Sequence, residues 1–131
     1  MLKEGLSAEK RMIVSGNDTA KSYGSGTVEV LATPAMIALM ESAAVACVEG
    51  HLEEGQNSLG TGIDIKHTAA SPVGVEVSTR ATICRVDGRL LVFHVEAWDT
   101  VEKIGDGTHT RFIVDENRFL SRADAKKDNH V

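Results

Sequence analysis

The sequence predicts an α+β fold in which one long central helix is wrapped by a curled antiparallel β-sheet. Three features carry that expectation. Ala32 to Gly50 is almost uniformly apolar and has helix signals at both ends. The chain after it alternates between apolar and polar residues, as strands with one buried face do. Asp87-Gly88 joins two of these stretches as a two-residue hairpin.

Taken in order, residues 1–22 are mixed in character, with a short strand expected at Met12-Ile13-Val14 and a turn at Gly16-Asn17-Asp18. Gly24-Ser25-Gly26 is a flexible turn, too short for a phosphate loop. It leads into a β-rich run, Thr27 to Leu31, and then into the helix. Thr33 is a suitable N-cap, Pro34 a suitable first helical residue, and Gly50 a suitable left-handed residue beyond the last turn. Because the segment is apolar on every face, it is expected to be covered on all sides. Glu41 breaks the pattern, since an unpaired carboxylate in apolar surroundings is costly.

His51 to Ser58 reads as a polar loop. In the strand from Leu59 to His67, Ile63, Ile65 and His67 share one face, with Gly62, Asp64 and Lys66 on the other. Val73 to Val86 alternates with Val75, Val77, Thr79, Ala81 and Ile83 on one side. The returning strand, Arg89 to about Glu102, carries Leu91, Phe93, Val95 and Ala97. Gly105-Asp106-Gly107 is expected to turn the chain into a last strand, Thr108 to Val114. A charged segment, helix-compatible at first, ends the chain. One domain over 1–131 is expected, with 1–22 and about 120–131 loosely held. A helix enclosed by such a sheet is the hotdog architecture. A sheet with one helix on one face commonly pairs with a second copy that protects its edges, so a homodimer is expected, with higher assembly left open.

Bulk properties narrow the function. The chain has 131 residues, 42% hydrophobic and 25% charged, with a net charge of -5. That balance, without basic runs, argues against nucleic acid as a partner. MLKEGLSAEKRM lacks the apolar core of a signal peptide, and no apolar run reaches the ~20 residues that cross a bilayer. Cys47 and Cys84 have neither CxxC nor metal-ligand spacing. A cytoplasmic protein that neither binds nor spans membrane is the expectation.

Several residues admit two readings. Glu41 is either a structural acid, paired or facing a dimer seam, or a chemical group needing a partner, for which His67 qualifies. Thr33 is an ordinary cap, a role that can coexist with catalysis. Gly60 and Gly62 are either strand irregularities or points of close backbone approach to a ligand. His51, His94, His109 and His130 are assigned to surface or packing. A zinc site from His51, His67 and Glu41 is the weaker alternative to no metal. Cys47 is assigned to helix packing.

TPAMIALMESAA followed by LGTGIDIKHTAASPVG resembles the hotdog thioesterases related to fluoroacetyl-CoA thioesterase, over roughly Val28 to Val114. The resemblance implies an acyl-CoA thioesterase whose Thr33, Glu41 and His67 form the catalytic group at a dimer interface. It also implies Gly60 and Arg111 as substrate or oxyanion residues, and no cofactor, coenzyme A being part of the substrate. Arg80, Arg85, Arg89, Lys66 and Lys103 are candidates to meet CoA phosphates. The family's phenylalanine lid has no counterpart in Lys21 to Thr27, where the only aromatic residue is Tyr23; a different or wider acyl pocket is therefore expected. Alternatives are a hotdog hydratase or dehydratase, and a non-catalytic acyl-CoA-binding module.

Overall fold

The computed structural model describes residues 1–128. His130 and the last part of the expected tail lie outside the described residues. The elements are β1 (Ser7–Ile13), α1 (Ala20–Tyr23), α2 (Thr33–Val48), β2 (Gln56–His67), β3 (Glu76–Asp87), β4 (Leu90–Trp98), β5 (Lys103–Asp115) and α3 (Glu116–Asp124). The strands form one antiparallel five-stranded sheet in the order β1-β3-β4-β5-β2. The helix α2 lies on its concave face, as the α+β hotdog expectation requires.

The strand faces follow the alternation in the sequence. Val77, Thr79, Ala81 and Ile83 of β3 are buried, as are Leu91, Phe93, Val95 and Ala97 of β4. They pack under Met36, Met40, Ala43, Ala44 and Cys47 of α2. Buried Thr79 donates to the Leu39 carbonyl at 3.1 Å, tying helix to sheet. Gly50 follows the helix with φ 82°, the left-handed position expected of it.

Four expectations are corrected. The first strand is Ser7–Ile13 rather than Met12-Ile13-Val14; it pairs with β3 from Ser7↔Thr82 to Ile13↔Glu76. Thr27 to Leu31 is not a strand, since Leu31 and Val30 form only isolated bridges, to Thr19 and Pro72. Gly105-Asp106-Gly107 lies inside β5. The turn comes earlier, where the Asp99 carboxylate accepts from the Val101 and Glu102 amides at 2.8 and 2.9 Å. The glycines serve close packing instead: a Cβ on Gly107 would run into the Asp64 carbonyl and Ile65 of β2.

The fourth correction concerns α2, which one sheet covers on only one side. Pro34, Ala38 and Val45 form an exposed stripe at helical spacing, with Val45 45% exposed. This open stripe and the edge strand β2 leave one flank of the molecule uncovered.

Candidate active site

Two clusters of polar side chains line the side of the fold where α2 approaches β2. At the start of α2, Thr33 Oγ1 lies 2.8 Å from His67 Nδ1. Thr33 is not the N-cap. That position is held by Ala32, which makes no side-chain cap, and Thr33 is the first helical residue. Its hydroxyl is therefore directed to the imidazole rather than to the helix amides. With the His67 proton on Nε2, the hydroxyl donates to Nδ1. Burial lowers the His67 pKa below the ordinary 6.5, the Ala69 backbone opposing the shift. Nε2 is buried without a hydrogen-bond partner. The pair opens onto a cleft of about 390 Å³ lined by Ala20, Ser25, Leu31, Ala69 and Ala70 among others.

About two turns along α2, half-buried Glu41 approaches Gly60 of β2. A Cβ added to Gly60 would sit 3.0 Å from Glu41 Oε2, 3.2 Å from His109 Cε1 and 3.4 Å from Arg111 Nη1. His109 and Arg111 of β5 are 1% and 6% exposed. Arg111 donates from Nε to the Ser58 hydroxyl and from Nη2 to the Ser58 carbonyl, both at 2.9 Å. Its Nη1 donates to His109 Nε2 at 3.1 Å. His109 Nδ1–H donates to the Gly62 carbonyl at 2.7 Å. These partners hold His109 as the neutral Nδ1–H tautomer. Burial lowers its pKa; the Gly62 carbonyl opposes this, Arg111 adds to it, and Glu41 opposes it. Burial also lowers the Arg111 pKa, with Glu41 opposing.

A β-bulge brings these groups onto one face. The β2–β5 register shifts between Gly60 and Gly62, leaving Thr61 unpaired. Gly60 and His67 are an odd number of positions apart and would face opposite ways in a regular strand. Across the bulge the parity changes. Ser58 and Gly60 then share a face with Ile63, Ile65 and His67, opposite Ile113, Arg111, His109, Gly107 and Gly105.

Within one chain the structure joins Thr33 to His67, and Glu41 to Gly60 and Arg111. It does not join the two groups: Thr33 and Glu41 are roughly 12 Å apart along the helix axis at 1.5 Å per residue. His109, expected on the surface or in packing, lies at the centre of the second group. Ser58 joins it although its segment reads as loop. The signal that could have found His109 is its inward parity with Arg111 and Ile113 in β5. His51 is elsewhere, at the N-terminal amine. Among the described residues, no three His, Cys, Asp or Glu side chains come together as metal ligands. Cys47 is buried in the core, and its thiol pKa is raised by burial. Of the proposed phosphate contacts, Arg80 is paired with Glu9 at 2.8 Å and Arg85 with Asp87 at 3.2 Å. Lys103 is paired with Glu96 and Asp106.

The chain is similar to known proteins. A thioesterase superfamily protein from Thermus thermophilus has a similar structure, with a TM-score of 0.92 at 25% identity over 98% of this chain and 96% of its own. A structure of the fluoroacetyl-CoA thioesterase FlK gives a TM-score of 0.90 at 35% identity over 96% and 98%. The class is thus a hotdog-fold thioesterase, a hydrolase of CoA thioesters. The model of the fluoroacetyl-CoA-specific thioesterase family matches residues 14–117, and the chain belongs to that family. The fluoroacetyl-CoA thioesterase of Streptantibioticus cattleyicolor is 43% identical over 98 residues, 75% of this chain and 70% of that relative. No helix among the described residues is long and apolar enough to cross a membrane.

Proposed function

We propose that this thioesterase hydrolyses a small or medium acyl-CoA through Thr33, Glu41 and His67 at a homodimer interface. The observation that carries the proposal is the 2.8 Å contact between Thr33 Oγ1 and His67 Nδ1, made by a hydroxyl that caps nothing. Water adds to the thioester carbonyl, the C–S bond breaks, and carboxylic acid and free CoA thiol leave. Glu41 acts as general base on the water or attacks directly, while Thr33 positions the water or takes the acyl group. His67 carries the proton between them and the thiolate. The Gly60 amide and the start of α2 stabilise the oxyanion, with Arg111 behind Gly60.

A dimer supplies what one chain leaves apart. The edge strand β2 and the open stripe of α2 lie on one flank, where Ile63 is 39% and Val45 45% exposed. Two-fold pairing there would run the two α2 helices antiparallel, bringing the first turn of one beside the middle turns of the other. Glu41 of one copy and the Thr33–His67 pair of the other then line one site.

Fluoroacetyl-CoA is the substrate named for the relatives, and an FlK variant has been crystallised with acetyl-CoA. The small side chains of Ala20, Ser25, Ala69 and Ala70 around the cleft, with no phenylalanine in Lys21 to Thr27, favour a wider acyl range here. The test is thiol release from a panel of acyl-CoAs by wild type and Glu41→Gln, with sedimentation to measure mass. Full activity in the variant, or an active monomer, refutes the site. Loss of enoyl absorbance from an enoyl-CoA without thiol release points to a hydratase; tight CoA-ester binding without turnover points to a binding module.

A further inference from the structure

We propose that His109 is a positioning residue: with Arg111 it straps the β2 bulge shut, and so aims the Gly60 amide and the ground beside Glu41. Four polar contacts run unbroken across the irregularity. Before the bulge, the Ser58 hydroxyl and carbonyl receive Arg111 Nε and Nη2. After it, the Gly62 carbonyl receives His109 Nδ1–H at 2.7 Å. The 3.1 Å bond from Arg111 Nη1 to His109 Nε2 closes the span. A bulge disrupts the hydrogen-bond ladder and bends the strand, so its geometry must be fixed by other contacts. Besides the exposed Thr61 hydroxyl, which reaches Thr110 Oγ1 at 3.3 Å, these contacts are the two side chains, buried at 1% and 6% exposure, with Phe93 stacked on His109 at 6.0 Å.

The strap needs a neutral imidazole. Nε2 accepts from a guanidinium, so a proton there would remove the acceptor and set two cations against each other. The charged groups facing His109 are Arg111 from β5 and Glu41 from α2. Gly60 is flanked by the strap and Glu41: a Cβ added there would sit 3.0, 3.2 and 3.4 Å from Glu41, His109 and Arg111. Any slack in the strap therefore moves the Gly60 backbone beside the carboxylate. Its effect on turnover rests on the role proposed above for Gly60.

Two variants separate positioning from packing. His109→Asn keeps a donor where Nδ1 stood but has no atom at the Nε2 position to receive Arg111; His109→Phe keeps the ring and loses both. Both are expected to lower kcat on the order of 10–100-fold with KM within about twofold, the signature of misplaced groups rather than lost substrate binding. In both, amide hydrogen exchange should quicken at Gly60 to Gly62. In the wild type, imidazole ¹⁵N shifts should give the neutral Nδ1–H tautomer at pH 7. Wild-type kcat in His109→Phe, unchanged exchange in folded variants, or an Nε2–H or protonated ring overturns the proposal. If His109→Phe fails to fold, His109→Asn and the wild-type tautomer decide. If the wild type cleaves no thioester, the proposed function fails, whereas the exchange and tautomer measurements still judge the strap.

Discussion

Glu41 and Gly60 face each other across the gap between helix and strand, so closely that a side chain on Gly60 would crowd the carboxylate. The Oε2 atom stands 3.0 Å from where a Cβ would be. Gly60→Ala is expected to displace the carboxylate, a flexible group, at a stability cost of about 1 kcal/mol. Thioester hydrolysis should fall by about tenfold or more. Urea denaturation and steady-state kinetics on the same preparation separate the two effects.

Thr33 gives a complementary expectation. An N-cap threonine replaced by alanine costs about 1 kcal/mol. Since the Thr33 hydroxyl caps nothing and meets His67 instead, Thr33→Ala should change stability by less than about 0.5 kcal/mol. Thiol release should drop on the order of 100-fold and recover largely in Thr33→Ser. A cap-sized loss of stability with activity intact would contradict the assignment.

Acid should loosen the fold through two histidines. Burial holds the pKa values of His67 and His109 below 6.5, so the native state resists protonation of both rings. As pH falls below about 6.5, the unfolded chain binds protons that the native chain does not. Stability is thus fully present above that pH, declines as pH falls toward the folded pKa values, and levels off below them. Urea midpoints between pH 5 and 8 should show this slope, and His109→Asn should reduce it.

Deleting Thr61 tests the bulge. Removing the unpaired residue restores a regular ladder and sends either Gly60 or His67 to the outer face. Hydrolysis should fall to background while the circular dichroism spectrum keeps its antiparallel character. Retained turnover would show that Gly60 and His67 need not share a face.

The long helix and the buried faces of β3 and β4 are legible in the sequence because each is a strong single-period pattern. Glu41, Thr33, His67, Gly60 and Arg111 stand out through residue type and family motif. What is not legible depends on contacts between distant segments. Gly105-Asp106-Gly107 has turn composition, yet its glycines are there because β2 passes too near for side chains. The alternation around Ile63 and Ile65 gives no sign that the preceding residues, beyond a bulge, join the same face. His109 is one of several unpaired histidines until β5 is set against β2. The open stripe on α2 is hidden too, since a uniformly apolar helix looks the same whether one sheet or two molecules cover it.

Ala32, buried at the head of α2 with no capping group of its own, has a consequence for engineering. Automated stabilisation would pick this helix start first, since Ala32→Ser or Ala32→Asp supplies a missing cap. The gain would arrive beside the one hydroxyl that meets His67, adding a rival partner to its neighbourhood. Thermal hardening of this enzyme is better sought at the solvent-facing side of α3, where none of the helix's residues is buried.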